Sequence, residues 1–411
     1  MDWNFLDHVC GEKGLLFAVL GVAAGAFALG GAIFRYLRDR LTDKWSSEVQ
    51  SKKLELEEVE ADLLRRDQNL RTREENVETV RNAILGSDDE LWRMHDDKPP
   101  KGYRDLIVQK SPPVVFICNE KGGVGKSTLT INLAAAFARA NKRVLVIDLD
   151  HQGSSSNTFL AANNVTKVES QLNRVLHRNA TAANFDEAVI NLDPLLPNVD
   201  IISAYKELSL LENTLLLDFL LQEQGADVRY LLAQHLICSK KRERYDVVLL
   251  DSPPRLKTAA INGFCASTHI LVPTVLDRLS AEAVGTFLAS AKKLKAMLNP
   301  SIELLGVVGM ITDQNTLRPR ERRAVNVVEK QLRQAWGGRV TIFDRHIPRK
   351  AAIQHAAGAA IAYLEDKDVA DVFDRLSREI GHFLNLENRE NGPDEGEPAP
   401  SRNVGVGIAA Q

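Results

Sequence analysis

The stretch Asn119-Glu-Lys-Gly-Gly-Val-Gly-Lys-Ser-Thr128 puts three glycines, two lysines and two hydroxyl side chains into ten residues. Glycines let backbone N–H groups wrap phosphate oxygens, and a helix starting at the far end adds the positive end of its dipole. In such a loop Lys126 reaches the β- and γ-phosphates of a nucleotide, and the Ser127 hydroxyl holds Mg²⁺. Gly122, Gly123, Val124, Gly125, Lys126, Ser127 and Thr128 are therefore the candidate nucleotide-binding residues. The loop departs from the pattern GxxxxGK[ST] at its first position, where Glu120 stands, and it carries an extra lysine, Lys121.

Two further motifs supply carboxylates. Val144-Leu-Val-Ile-Asp148-Leu-Asp150-His-Gln-Gly153 is an apolar strand ending in two aspartates. Taken alone, such aspartates are turn formers more often than chemistry. Their place downstream of a phosphate loop, at the ligand-facing end of a parallel strand, reverses that weighing. Tyr245-Asp-Val-Val-Leu-Leu-Asp251-Ser-Pro-Pro254 is a second buried strand ending in a carboxylate. Asp251 is placed to hold Mg²⁺, through water, as a Walker B residue does.

These side chains need a scaffold that brings several strand ends to one edge. From 114 to 386 short β-branched strands alternate with helical stretches, the pattern of an α/β domain with a mostly parallel sheet flanked by helices. The strand Val114–Cys118, the glycine loop and the helical run from Leu129 form one strand–loop–helix unit.

The two-lysine loop KGGVGKST resembles the deviant P-loop of the ParA/MinD family of ATPases, and the likeness covers most of the chain after Val114. The resemblance implies a P-loop NTPase fold, ATP and Mg²⁺ as cofactors, and ATP hydrolysis. It implies that Lys121 crosses a nucleotide-sandwich dimer to the partner's phosphates, where a cation stabilises the transferring phosphoryl group. The Asp148-Leu-Asp150 element resembles the family's DxDPQG, with His151 in place of proline, so Asp150 inherits a role in positioning water and the Mg²⁺ shell. The catalytic set implied is Lys121, Lys126 and Asp150, with Ser127, Asp251 and Asp150 around the metal. Gly306–Asp313 and Phe343–Arg349 look like the family's last strands, which makes Asp313 and Pro348 candidate adenine neighbours.

The rest of the chain differs in kind. Residues 14–34 contain no charged side chain, and about 20 apolar residues suffice to span a bilayer as a helix. Arg35, Arg38, Arg40 and Lys44 follow the run, so the positive-inside rule puts residues 1–13 outside and the ATPase domain in the cytoplasm. The expectation is a single-pass protein of the inner membrane. In 45–85, Val49, Leu56, Leu63, Leu70, Val77 and Ile84 recur every seven residues. That is one row of a coiled coil, although its companion row mixes Trp45, Val59 and Val80 with Lys52, Arg66 and Arg73. The stalk reads as a parallel dimer, or as a solvated helix. Residues 86–113 read as a linker with a short helix near Leu91 to Met94, and 387–411 as a disordered tail.

Composition bounds the partners. The 411 residues carry a net charge of −3, which is not that of a nucleic-acid-binding polycation. Lys292, Lys293 and Lys295, and Arg318, Arg320, Arg322 and Arg323, form local basic runs; these read first as solvated helix faces and second as a site for non-specific DNA. The four cysteines are dispersed, which fits a reducing compartment. The expected function is a membrane-anchored switch reset by hydrolysis, acting in positioning, partition or another membrane process, with a second copy and an unknown activator or cargo as partners. A tyrosine kinase on a related P-loop, or an ATP-binding scaffold with little turnover, are the alternatives; the first lacks a tyrosine cluster, since the six Tyr are scattered.

Overall fold

The computed structural model describes residues 30–109, 112–165, 169–222, 225–313, 317–337 and 341–386. Segments 1–13 and 387–411, and residues 14–29 of the apolar run, lie outside the described residues. Among the described residues no helix is long and apolar enough to cross a membrane.

The chain divides into two units, 1–82 and 83–411. The first contains most of helix α1, Gly30–Leu85, which is 56 residues long. No glycine or proline interrupts it between Arg35 and Leu85. Intrahelical pairs such as Arg66–Asp62 at 2.9 Å and Arg71–Asp67 at 3.0 Å lie along it. Such exposed pairs contribute only a few tenths of a kcal/mol each, about 0.3–0.5. Every member of the heptad row, from Val49 to Ile84, is exposed.

The second unit is an α/β fold. Its helices are α2 (Asp88–Leu91), α3 (Tyr103–Gln109), α4 (Lys126–Arg139), α5 (Ser154–Ala162), α6 (Leu172–Val175), α7 (Ala182–Ala188), α8 (Glu207–Leu220) and α9 (Leu231–Cys238), followed by α10 (Thr258–Ala266), α11 (Arg278–Leu298), α12 (Pro319–Ala335), α13 (Ala351–Ala356), α14 (Ala362–Glu365) and α15 (Lys367–Phe383). Its strands are β1 (Val114–Ile117), β2 (Val144–Asp148), β3 (Ile190–Asn191), β4 (Val199–Ile202), β5 (Val247–Asp251), β6 (His269–Val275), β7 (Glu303–Thr312) and β8 (Ile347–Pro348). They form one sheet in the order β3-β4-β2-β5-β1-β6-β7-β8, and every neighbouring pair is parallel except β3 with β4. The mostly parallel sheet read from the sequence is therefore present.

Strands β1, β2 and β5 are buried along their whole length, as expected of a sheet covered on both faces. On one face Leu129, Leu133 and Phe137 of α4 share an apolar cluster with Phe373, Leu376 and Ile380 of α15. On the other, α10 lies so close to the sheet that a Cβ on Gly263 would fall 2.5 Å from Leu149 Cδ1 and 2.8 Å from Phe116 Cε2. Register pairs Ile117 with Asp251 and Asp148 with Asp251, so the ends of β1, β2 and β5 meet at one edge.

Segment 86–113 is not the linker that its Pro and Gly content suggested. Trp92, Tyr103 and Ile107 are buried, and α2 and α3 pack on the domain. Turn residues say where a chain bends; whether the residues between bends are buried depends on the apolar side chains they carry. The helix expected near Leu91 to Met94 lies three residues earlier, at Asp88–Leu91, opened by a capping box of Ser87 and Glu90.

Because Gly263 is helical with no unusual backbone angle, only the space beside it is at stake. Gly263→Ala should destabilise the unit by about 1–3 kcal/mol through overpacking. Denaturant unfolding of the full chain, compared with Gly122→Ala, where a Cβ meets nothing within 4 Å, checks it.

Candidate nucleotide site

The glycine loop leaves β1 and turns into α4 through two left-handed residues, Gly123 at φ +72° and Gly125 at φ +91°. At Gly125 the left-handed backbone is what disfavours a side chain; a Cβ would lie 2.8 Å from Met310 Cε on β7, the far end of a flexible side chain. Asn119 braces the loop entrance. Its Nδ2 donates to the Pro273 carbonyl at 2.9 Å, and its Oδ1 accepts from the Lys121 N–H at 3.0 Å. Val124 is buried under the loop.

Lys126 is only 8 % exposed, and its ammonium donates to the Lys121 carbonyl at 3.3 Å. Burial pulls its pKa down, while Asp251 and Asp150 oppose that shift. A buried cation with one neutral acceptor is electrostatically suited to an anionic ligand.

Asp251 ends β5 with no exposure. Its Oδ2 accepts from Ser155 Oγ at 2.6 Å and its Oδ1 from Thr130 Oγ1 at 3.5 Å. Burial pushes its carboxyl up to about 6, against hydrogen bonds from Ser155 and Ser127 and the charge on Lys126. Asp148, its partner across β2 and β5, is also raised, by burial and then by Asp251. Asp148 accepts from the N–H of Asp150 at 3.0 Å and from the N–H and hydroxyl of Ser156 at 2.9 and 2.7 Å. It thus pins both ends of the loop that carries Asp150.

That loop is a tight turn. The Gly153 N–H donates to the Asp150 carbonyl at 2.8 Å, and Asp150 Oδ1 accepts from the Gln152 N–H at 2.9 Å. Gly153 sits at φ +64°, and a Cβ there would be 2.6 Å from the Ala204 carbonyl. His151 occupies the second place of the turn, a position proline also fits. His151 Nδ1 lies 3.6 Å from Asp150 Oδ1.

A cavity of about 590 Å³ opens over the loop, lined on one side by Gly122, Gly123, Gly125, Lys126, Ser127, Thr128 and Asp150. Met310, Ile311, Ile347, Pro348 and Ile353 line the other side. Ile311 has φ +57°, a rare conformation for a β-branched residue, and it sits where the β7–β8 register shifts. Of the two candidate base neighbours, Pro348 lines the cavity. Asp313 does not; its carboxylate is bridged to Arg318 at 3.1 Å and to Arg320, and its N–H donates to Glu321 at 2.9 Å. Asp251 lies behind the cavity wall and Lys121 beside it. The Lys121 ammonium donates to Ser280 Oγ at 2.6 Å, and Ser280 donates to Asp277 at 2.8 Å. Against the effect of burial, the hydrogen bonds from Ser280 and the charge of Lys121 hold the Asp277 carboxyl low.

The sequence reading missed Ser155, Ser156, Thr130 and the Asp277–Ser280 pair. The first two stand in the run Ser154-Ser-Ser156 directly after the turn glycine, and that run was the available signal.

Residues 113–304 match the model of the AAA domain family. The chain is 31% identical over 272 residues to the chromosome-partitioning ATPase Soj of Thermus thermophilus, covering 65% of this chain and 94% of that protein. It is 32% identical over 243 residues to the chromosome partitioning protein ParA of Caulobacter vibrioides, covering 59% and 83% respectively. The chain belongs to the ParA/MinD family of P-loop ATPases. Among solved structures, the fold is similar to cobyrinic acid a,c-diamide synthase from Mycobacterium smegmatis with a bound ATP analogue and magnesium (TM-score 0.51, 24% identity, 66% of this chain and 95% of that one). It is also similar to the ATP complex of a McdA variant from Cyanothece (TM-score 0.53, 18% identity, 66% and 96%).

ATP with Mg²⁺ is the cofactor pair of this family, and the residues here fit it. A buried lysine, a glycine loop opening a helix and Ser127 beside a strand-end carboxylate meet at one place. Asp251 Oδ2 is already held by Ser155, which suits a water-mediated rather than direct hold on a metal.

The raised carboxyl of Asp251 gives a signed pH dependence. In the metal-free protein its contribution to stability is full below the ordinary value of 3.8 and is lost as pH rises through about 6. Cation binding has the opposite sign, because the cation needs the ionised form. Mg²⁺-dependent nucleotide binding at fixed free Mg²⁺ should weaken below about pH 6, by up to ~10-fold per unit. Titration calorimetry between pH 5 and 8 tests this, and flat affinity would remove Asp251 from the metal site.

Proposed function

We propose that this chain is a membrane-anchored ATPase that closes as an ATP-sandwich dimer and is reset by hydrolysis, a switch for positioning, partition or another process at a membrane. One observation carries the reading. The glycines of the loop, Lys126, Ser127, Thr128 and Asp150 line a single cavity, and the buried Lys126 feels the charge of both Asp150 and the Asp251 behind the wall. Bound ATP would supply the phosphoryl group and Mg²⁺ would offset its charge.

The chain's own residues then divide the work. Gly122 to Thr128 cradle phosphate through backbone N–H groups and the start of α4. Lys126 neutralises ground-state charge. Asp150, held in a turn pinned by Asp148, is the acid placed to orient water at the cavity wall. Met310, Ile347 and Pro348 give the opposite wall an apolar lining suited to a base. Lys121 is the residue for a partner's site; leaving Ser280 costs it one hydrogen bond. Two solved relatives in this fold, one with an ATP analogue and magnesium and one with ATP, support the ligand assignment.

The anchor and stalk belong to the same reading. The uncharged run 14–34 would hold the chain in the inner membrane with the ATPase unit in the cytoplasm. The exposed heptad row of α1 would pair with that of a second copy. Pairing through the stalk raises the effective concentration of the ATPase units, to about millimolar for short flexible connections. The basic runs are neutralised in part: Arg318 and Arg320 share Asp313, and Lys293 pairs with Asp89. A protein activator or cargo, rather than DNA, is the reader this favours.

Lys126→Ala should abolish nucleotide binding. Asp150→Ala should bind ATP and lose turnover, at least about 100-fold, since it acts on the nucleophile. Equal loss of binding in both variants refutes the division. Lys121→Ala should bind ATP within about twofold of the parent yet fail to associate on ATP, as read by sedimentation.

Topology has its own test. In a Cys10→Ser background, Phe5→Cys should react with an impermeant thiol reagent from outside and Glu60→Cys should not. Extraction of the protein by alkaline carbonate would show that 14–34 is not a span.

A further inference from the structure

Residues 87–109 precede the matched family domain and fasten to the loop that follows Asp251. Trp92 is buried, and its Nε1 donates to the Leu256 carbonyl at 2.6 Å. Asp88 pairs with Arg255 at 3.5 Å. Both contacts fall on the segment 252–257, between Asp251 and the start of α10.

The same segment has a second side. Pro254 lines the nucleotide cavity, two residues from Leu256. A small recess behind it is lined by Glu120 of the phosphate loop together with Pro254, Arg255 and Leu256. Burial, then Asp88 and Asp89, raise the carboxyl of Glu120, so α2 acts electrostatically on the phosphate loop as well.

The strap is itself firmly held. The buried Arg229 guanidinium donates to the carbonyls of Trp92 at 2.9 Å, His95 at 3.1 Å and Asp96 at 2.7 Å. Its charge is balanced by Asp227 at 2.7 Å, which also accepts from the Lys98 N–H at 3.1 Å. The Trp92 ring lies 5.0 Å from that of Phe219 of α8, tilted by 39°. At its far end the Tyr103 hydroxyl donates to the Cys265 carbonyl at 2.7 Å. Asp89 is 2 % exposed and pairs with Lys293 at 3.1 Å. A surface linker needs none of this; three backbone carbonyls on one buried arginine fix the path of the strap to the chain that carries Trp92.

We propose that residues 87–109 form a coupling strap: Trp92 is a positioning residue that sets the loop after Asp251 for turnover, and nucleotide occupancy of the cavity and docking of the strap are thermodynamically linked. The inference rests on the nucleotide-site reading above. Linkage requires reciprocity, so a ligand that moves the loop changes strap docking by the same factor that strap docking changes the ligand's affinity. The strap continues covalently into α1, so the nucleotide state would reach the stalk along the chain itself.

The test uses the full chain. Hydrogen exchange of residues 88–96 is measured with and without a non-hydrolysable ATP analogue and Mg²⁺, and a fluorescent ATP analogue reports binding separately. Protection of 88–96 should change about fivefold or more on nucleotide binding. Trp92→Phe keeps a ring beside Phe219 and deletes the donor to Leu256. It should abolish that difference and lower kcat about fivefold or more, with KM within about twofold. Tyr103→Phe deletes a comparable bond at the far end and should leave kcat and the exchange difference in place. If Trp92→Phe does not fold, Asp88→Asn, which removes a surface pair, should shift the exchange difference in the same direction. A parent chain that binds and turns over ATP with identical protection in both states overturns the strap alone. So does Trp92→Phe with lower thermal stability but unchanged kcat. A parent chain that binds no nucleotide overturns the site reading and the strap with it.

Discussion

Two carboxylates face each other across β2 and β5 with no exposure to water, and the site is arranged around that cost. Burying one charge is expensive and burying two side by side is more so, which is why both groups are pushed towards the neutral form. The chain meets the cost with hydroxyls. Ser155 and Thr130 satisfy Asp251, and Ser156 and the Asp150 N–H satisfy Asp148. These bonds come from the start of α5 and the first turns of α4, so the same interactions that make the acids tolerable also fix the turn of Asp150 and the first turns of the phosphate-loop helix. Lys126 adds a nearby cation that opposes the shift at Asp251.

That arrangement explains which parts of the site were legible in the residues. Lys126, Ser127, Asp150 and Asp251 lie within short motifs whose spacing is dictated by a strand, a turn and a helix, and the structure gathers them at one edge. Pro348 lines the cavity because strand ends converge in a parallel sheet. Asp313 is drawn away from it by Arg318 and Arg320 at the start of the next helix. Ser155 and Ser156 were readable only as loop residues, since their partners are 96 and 8 positions away. Spacing within a motif encodes local geometry; it does not encode which distant strand a hydroxyl will meet.

Segment 86–113 shows the same limit from the other side. Its prolines and glycines mark true bends, yet Trp92, Tyr103 and Ile107 fold back onto the domain. The decisive partner is Arg229, which offers three bonds to the strap's carbonyls and sits more than 130 positions downstream. A fragment that begins at the first strand would therefore leave the Arg229 guanidinium, still paired with Asp227, without three carbonyl acceptors, and an apolar face without its cover. The ATPase unit thus begins near residue 83 rather than at the edge of the family match at 113, in agreement with the compact unit the chain forms.

The resting place of Lys121 adds an energetic argument about association. In the single chain its ammonium is satisfied by Ser280, with Asp277 one hydrogen bond beyond. A lysine that must serve a partner's phosphates has to leave this site first. A hydrogen bond to a charged group contributes about 1.5–3 kcal/mol, and part of that returns as water and Asp277 re-solvate Ser280. The remaining cost is small beside a contact with a polyphosphate in a site from which water is excluded, and large beside any gain from closing over an empty cavity. On the proposed reading, closure without a ligand would be disfavoured by the same residue that would favour closure with one. Pairing through a stalk would raise encounter frequency without altering this discrimination, because tethering changes effective concentration and leaves the exchange of partners at Lys121 untouched.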